Sequence, residues 1–351
     1  MHSYQDDKPI NTLIKAAEKL KSDISVLNRD NIHISDYSRG SFNHFADNSG
    51  YYLSLYNRLL NKAVRKLKKS VSDSTFIDYG GGCGFLSILA KTAGFGTVIY
   101  IDINPQSVHD SEQIARALDV RIDFRLLGDI EELLAEIRKT DLSPDLICSF
   151  DVIEHIYNLE AWISTAATID GNFSLFFMTS ANPENPLIAR RLKKLHFRSE
   201  NTGYEKNVRS PEGFLNTSFL QERKNILITK YPGLNDADLS LIAANTRGLI
   251  KERIEQIAEI YLKSGKLEYI AGRSTNTCDP YTGSWTERLL DLNELKTIAK
   301  GLNLKIRYSN TSYAYNNNWL ANLIKWFLNI LIYLSGNNLF LSPCLIVEID
   351  K

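Results

Sequence analysis

The chain has 351 residues, with 41 Lys+Arg balanced by 41 Asp+Glu and a formal net charge of zero. That balance argues against a general polyanion binder, which carries a basic excess, so no nucleic-acid partner is expected. With 44% apolar residues the chain can bury one elaborated domain or two, and its four cysteines (Cys83, Cys148, Cys278, Cys344) are too scattered for a metal-ligand spacing and read as thiols kept in a reducing cytoplasm.

In chain order, the opening MHSYQDDKPI has no apolar core of the signal-peptide kind. Ile10, Leu13, Ile14, Ala17, Leu20, Ile24 and Leu27 then recur at helical spacing. Residues 29–50 are polar and turn-rich, and read equally as a loop that orders over a ligand or as a plain linker. A second helix is expected from about Tyr51 to Lys69. It leads into FIDYGGGCGFL, residues 76–86, where an apolar β-prone run ends at Asp78 and Gly80, Gly81, Gly82 and Gly84 follow. Phe85, Leu86, Ile88 and Leu89 then take helical spacing. This is a strand, a tight glycine turn and a helix, in which backbone N–H groups and a helix N-terminus can approach a ligand with no Cβ between.

The ligand's charge follows from Asp78. A dinucleotide would place its pyrophosphate on this turn, and a carboxylate two residues before the first glycine would oppose it. A nicotinamide-dependent oxidoreductase is therefore the less favoured reading. A cationic ligand such as S-adenosylmethionine, with a sulfonium and an ammonium, suits that carboxylate.

Strand and helix then alternate. TVIYID (residues 97–102) is a buried-type strand, and Asn104-Pro105 opens a helix with Asn104 as its cap. The cap position being filled, Asp102 is left to accept both hydroxyls of a ribose, the alternative being a solvated loop carboxylate. RIDFRLL (residues 121–127) is the third strand, followed by Asp129, whose spacing to Glu132 forms a helix cap. DLICSFD (residues 145–151) and NFSLFFMTSAN (residues 172–182) are the fourth and fifth strands. Asp78, Asp102, Asp129, Asp151 and Asn182 thus stand at successive strand ends, where open α/β sheets bind ligands. Residues 184–288 break the alternation and read as a helical insert, with Ser210-Pro211 opening one helix and Gly265 ending another. Within it Trp285, Glu287 and Arg288 follow a turn at Asp279–Gly283, and either line a pocket for a hydroxylated substrate or anchor the insert. Strand signals return at residues 304–315 and 343–350.

The spacing Asp78-x-Gly80-x-Gly82-x-Gly84 resembles the first motif of class I S-adenosylmethionine-dependent methyltransferases. The turn Asp151-Val152-Ile153-Glu154-His155 resembles the acidic-His turn of ubiquinone-biosynthesis O-methyltransferases in the small-molecule branch. The resemblance implies an α/β fold: a Rossmann-like seven-stranded sheet with the last strand antiparallel, plus a mostly helical insert after strand five. It implies S-adenosylmethionine as cofactor, with Asp78, Gly80, Gly82 and Gly84 on its methionine half and Asp102 on the ribose. Asp129 and Ile130 would flank the adenine, and Phe150 and Asp151 would border the sulfonium. His155 is the candidate catalytic base, the alternative being a histidine that shapes the loop or contacts the donor's carboxylate. Asn182, His196, Trp285, Glu287 and Arg288 are candidate substrate residues, and no metal is expected. The expected acceptor is small or lipid-linked and methylated at oxygen, in the manner of decorated enzymes of surface-polysaccharide and lipid-linked pathways. A catalytically idle donor-binding module, with the insert serving protein contacts, is the alternative.

The implied domains are an N-terminal helical arm (1–50), a donor-binding core (51–183), the insert as a lid or substrate domain (184–288) and a C-terminal completion of the sheet (289–351). Within the last lies WLANLIKWFLNILIYL, residues 319–334, in which Asn318, Asn322, Lys325 and Asn329 fall on one narrow face and the rest is apolar. It reads as a peripheral membrane contact at the inner face of a membrane, as packing on the core or insert, or as a homodimer contact.

Overall fold

A computed structural model describes residues 8–140, 142–203, 217–315 and 318–351. Three N-terminal helices, α1 (Lys8–Val26), α2 (Asp36–Asp47) and α3 (Ser49–Ala63), precede an alternating segment. That segment runs β1 (Thr75–Tyr79), α4 (Phe85–Thr92), β2 (Thr97–Asp102), α5 (Pro105–Ala117), β3 (Phe124–Leu127), α6 (Ile130–Thr140), β4 (Leu146–Phe150), α7 (Leu159–Ala166) and β5 (Ser174–Thr179). Four helices follow: α8 (Pro186–Asn201), α9 (Phe219–Lys230), α10 (Asp236–Asn245) and α11 (Lys251–Ser264). The chain closes with α12 (Leu292–Gly301), β6 (Lys305–Asn310), α13 (Trp319–Leu334) and β7 (Leu345–Asp350).

The seven strands form one sheet in the order β3-β2-β1-β4-β5-β7-β6. β1 to β5 pair in parallel, and β7 runs antiparallel to both β5 and β6. This matches the expected seven-stranded sheet with its antiparallel last strand. β1 is central and buried along its whole length, as an apolar strand covered on both faces must be. The order reverses between β1 and β4, so the carboxyl ends of β1, β2 and β4 open at the switch point where such sheets bind ligands.

By compactness the chain divides into two units. The first comprises Met1–Ile153, Glu160–Ser180 and Leu292–Lys351, and the second Glu154–Leu159 and Ala181–Asp291. In the first, the N-terminal helices share the core of the sheet: Leu13, Leu20, Phe42, Phe45 and Leu59 pack with Phe85, Leu89 and Tyr100. Phe45 stacks on Phe85 at 3.7 Å between ring centroids. The second unit has its own core, built from Ile226, Leu227, Leu239, Ile242, Ile254 and Ala258. Inside it Arg223 of α9 is fully buried, pairs through both guanidinium arms with Glu200 of α8, and donates from Nε to the Ala243 carbonyl at 2.8 Å.

Several boundaries differ from the sequence expectation. Residues 29–50 are neither loop nor linker but mostly α2, capped by Ser35 and burying Phe42, Phe45 and Ala46 at helical spacing. The many polar residues on its other face hid that stripe. The helix expected to reach Lys69 ends at Ala63, continuing as one short 3-10 turn over Val64–Lys66. Ser210-Pro211 lies outside the described residues. Asn104 caps α5 with Pro105 in its first turn, and Gly265 ends α11 in a left-handed conformation, both as expected.

Candidate active site

In the first unit the glycine turn is shaped by its own backbone. Gly80, Gly82 and Gly84 have φ of 69°, 51° and 79°, a region that costs side-chain-bearing residues energy. The N–H groups of Gly80 and Gly81 donate to the Ile101 carbonyl at 2.8 and 3.1 Å, fastening the turn to β2. A Cβ on Gly80 would lie 2.7 Å from Val152, whereas one on Gly82 would meet nothing within 4 Å. The turn is therefore packed on one side and open at Gly82.

Asp102 closes this cradle from the end of β2. Its Oδ2 accepts the Gly82 N–H and its Oδ1 the Asn104 N–H, both at 2.9 Å. Each oxygen keeps a second lone pair, the complement a vicinal diol needs. Burial pushes its carboxyl up, while those two N–H donors oppose the shift.

Asp78 is placed differently from expectation. It is only 1% exposed, and its Oδ2 accepts both the N–H and the hydroxyl of Ser87 at 2.9 and 2.7 Å. The carboxylate thus braces the first turn of α4 from the core side, and burial lifts its pKa from 3.8 to about 7. Its part is to position the glycine turn, and a direct face toward ligand is not what the fold gives it.

Asp129 caps its own helix. Its Oδ1 accepts the Ile130 N–H at 2.6 Å, and its N–H donates to Glu132 at 2.8 Å. The same carboxylate accepts the Tyr79 hydroxyl, which in turn accepts the Trp162 indole N–H at 2.6 Å. Ile130 is buried beside it. Asp151, at the end of β4, has φ of 53° and accepts the Ser180 N–H at 2.7 Å. Phe150 meets Tyr56 of α3 edge-on at 5.1 Å. Sequence reasoning missed Tyr56, Tyr79, Trp162 and Tyr100, whose hydroxyl supports the glycine turn by donating to the Gly82 carbonyl at 2.7 Å. The one available signal was Tyr100's phenol inside an apolar strand, since a buried hydroxyl needs a partner.

The second unit gathers most of the other expected residues. The His155 ring nitrogen Nδ1 lies 2.7 Å from the Trp285 carbonyl, which can only accept, so Nδ1 carries the proton. Nε2 then faces Glu287, with 3.8 Å to its Oε1. Trp285 donates from its indole to the Tyr157 carbonyl at 3.1 Å and stacks on the Tyr157 ring, with the Arg288 guanidinium 5.2 Å from the Trp285 ring centre. Glu287 sits at φ of 45°, rare for a side chain of its kind. One donor atom each of Glu154, His155 and Glu287 lies within 4.8 Å of the others, a spacing that a divalent cation could also use.

Two expected substrate residues do not fit that role. Asn182 is fully buried and its Oδ1 accepts the Glu184 N–H at 3.0 Å, shaping the turn before α8. His196 is also fully buried, with Nδ1 2.9 Å from Thr275 Oγ1 and Nε2 3.0 Å from the Glu287 carbonyl. Burial pushes its pKa down, so it is a neutral core histidine that holds the Glu287 backbone in place.

Comparison with known proteins adds a methyltransferase-domain family model that matches residues 70–231. Ribosomal protein L11 methyltransferase of Cupriavidus pinatubonensis is 41% identical over 58 residues, covering 16% of this chain and 20% of that protein. The Ralstonia nicotianae protein of the same name is 41% identical over 56 residues, 16% of this chain and 19% of that one. The chain therefore spans about a fifth of the length of the curated relatives it matches. Among solved structures, Haemonchus contortus phosphoethanolamine N-methyltransferase 2 with S-adenosyl-L-methionine is 12% identical, over 84% of this chain and 52% of that chain, with a TM-score of 0.36. A Listeria monocytogenes structure described as an S-adenosylmethionine-dependent methyltransferase is 10% identical, over 86% and 97%, with a TM-score of 0.40. These two likenesses are distant, and the fold rests on the strand order itself. The domain match over residues 70–231 and a sheet of this order and sense support an S-adenosylmethionine-dependent methyltransferase.

Proposed function

We propose that the chain transfers the methyl group of S-adenosylmethionine to an oxygen of a small or lipid-linked acceptor, in the manner of surface-polysaccharide or lipid-linked metabolite biosynthesis. The observation that carries the donor half is the glycine turn wired to Asp102, with Gly82 facing open space. Gly80, Gly82 and Gly84 would cradle the methionine half, with Asp78 setting the turn from beneath. Asp102 would take the ribose hydroxyls, Asp129 and Ile130 would border the adenine, and Phe150 and Asp151 the sulfonium. When bound, S-adenosylmethionine supplies an electrophilic methyl and leaves as a neutral thioether that needs no proton. The protein's tasks are therefore to align the two partners, exclude water and take a proton from a hydroxyl acceptor. His155 is suited to the last task. Its Nδ1–H is held by the Trp285 carbonyl, which leaves Nε2 to accept the proton, and Glu287 beside it would stabilise the imidazolium that forms. Trp285 and Arg288 would contact the acceptor.

Two other readings are separated by one experiment. The curated relatives are named for a ribosomal protein substrate, which favours a protein acceptor. Their match covers only 16% of this chain and a fifth of their own length, too little to carry the acceptor across. A donor-binding module without transfer is the second. Incubating the protein with methyl-labelled S-adenosylmethionine and separate lipid, polar small-molecule and protein fractions of a cell extract decides among them. The proposal expects base-stable label in a lipid or small-molecule ether. Label in protein would move the acceptor, and donor binding with no label in any fraction would favour the idle module. His155→Ala should slow transfer by about 100-fold, with donor affinity within twofold of the wild type.

A further inference from the structure

The helix α13 is mounted inside out. Its polar stripe faces the protein: Asn329 exchanges two hydrogen bonds with the backbone of Tyr313, at 2.6 and 3.0 Å. Lys325 donates to the Ala314 carbonyl at 3.0 Å and sits 5.9 Å from the Tyr51 ring centre. Burial pushes the Lys325 pKa down. Ile332 is buried, but most of the other apolar side chains are turned outward. Trp319 and Tyr333 are 73% and 84% exposed, and Leu323, Ile324, Trp326 and Phe327 are each more than half exposed. Monomers rarely leave so large a contiguous apolar surface bare.

We propose that α13 is a lipid-surface anchor that lies in the plane of a phospholipid bilayer's interface and holds the first unit against it. Three features favour lipid over a second protein. Trp319, Trp326 and Tyr333 recur every seven residues, a line along one flank of the helix, about a quarter turn from the polar stripe. Indole and phenol groups have an apolar body and a polar tip, and they favour the level where acyl chains meet headgroups. Leu323 and Phe327 stand between that line and the far side of the helix, where they would enter the acyl region. The charge pattern agrees. Between Arg307 and Glu348 the sequence has no carboxylate and a single charged residue, Lys325, in a chain that otherwise carries 41 acidic groups. Nothing on this stretch would repel anionic headgroups. Among the described residues no helix is long and apolar enough to cross a membrane, and 16 residues give about 24 Å of helix, so α13 would lie along the surface.

The test is flotation of the full chain with vesicles of phosphatidylcholine and phosphatidylglycerol at 3:1, alongside light scattering after gel filtration without lipid. The wild type should float, and should remain with the vesicles in 0.5 M salt, because apolar insertion carries the binding. The double variant Leu323→Asn/Phe327→Asn, with its fold checked by circular dichroism, should partition at least tenfold less. Trp326→Tyr, which keeps an interfacial aromatic, should float like the wild type. If the double variant does not fold, quenching of wild-type tryptophan fluorescence by brominated lipid decides: quenching supports the anchor, and none overturns it. A wild type left in solution would overturn the proposal, as would a folded double variant that floats equally well. So would a dimer of the wild type that the double variant abolishes while neither chain floats. Donor binding enters none of these readouts, so the anchor and the methyl-transfer reading can fail separately.

Discussion

A carboxylate hidden under a glycine turn carries a pH signature. Asp78 is held by Ser87 in a buried setting that lifts its pKa to about 7. Between about pH 4 and pH 7 the folded protein keeps a proton there that the unfolded chain has already released. Folding stability from this group is therefore highest below pH 4 and declines as pH rises to about 7. Asp78→Asn removes that decline. In urea titrations at pH 4.5 and 8, the stability of the variant minus that of the wild type should rise by on the order of 3 kcal/mol toward the higher pH. A constant difference would show that Asp78 is ionised across the whole range. The proposed base, His155, needs no metal ion. With a base that works without metal, chelation by EDTA should leave the transfer rate unchanged, as measured with labelled donor. A loss restored by added Mn²⁺ would reassign Glu154, His155 and Glu287 to a cation.

At the scale of elements, the glycine turn and its flanking strand and helix were legible because their chemistry is local. Positive φ at Gly80, Gly82 and Gly84 leaves a plain mark in sequence, and so does Asn104-Pro105 at the start of α5. What was not legible depended on contacts distant in sequence. The direction of Asp78 depends on Ser87 packing beneath the turn, and α2 on a buried stripe of Phe42 and Phe45 set among polar residues. His196 looked like a substrate residue because its type is reactive; only the fold shows both its nitrogens engaged. For the turn itself, Gly82→Ala places a methyl at φ of 51° on the open side. It should cost about 1–2 kcal/mol of stability by thermal denaturation and lower donor affinity by roughly tenfold or more. In the second unit, Arg223→Met would leave Glu200 buried without its guanidinium partner. Chemical denaturation should show a loss of about 3–5 kcal/mol, and a loss under about 1 kcal/mol would mean the pair is dispensable.

For the whole molecule, the division into units differs from the sequence expectation, which kept His155 in the donor-binding core (51–183). Gly80 to Asp151, the proposed donor residues, fall in the first unit, and His155, Trp285, Glu287 and Arg288 in the second. The chain passes from one to the other between Ile153 and Glu154, inside the turn that resembles the acidic-His motif. The parallel sheet was readable from the alternation of strands and helices, and its antiparallel last strand from the family resemblance and the returning strand signals; the strand order came from the structure. The acceptor was not, because residues 154–155 and 285–288, far apart in sequence, come together only in the fold. The central claim is that the glycine turn and Asp102 hold S-adenosylmethionine, and the most direct test is calorimetric titration of the full chain with S-adenosylhomocysteine. One site per chain is predicted, with affinity reduced by about 10- to 100-fold in Asp102→Ala, whose carboxylate would otherwise accept the ribose hydroxyls. Absence of binding by the wild type, or equal affinity in Asp102→Ala, would contradict it.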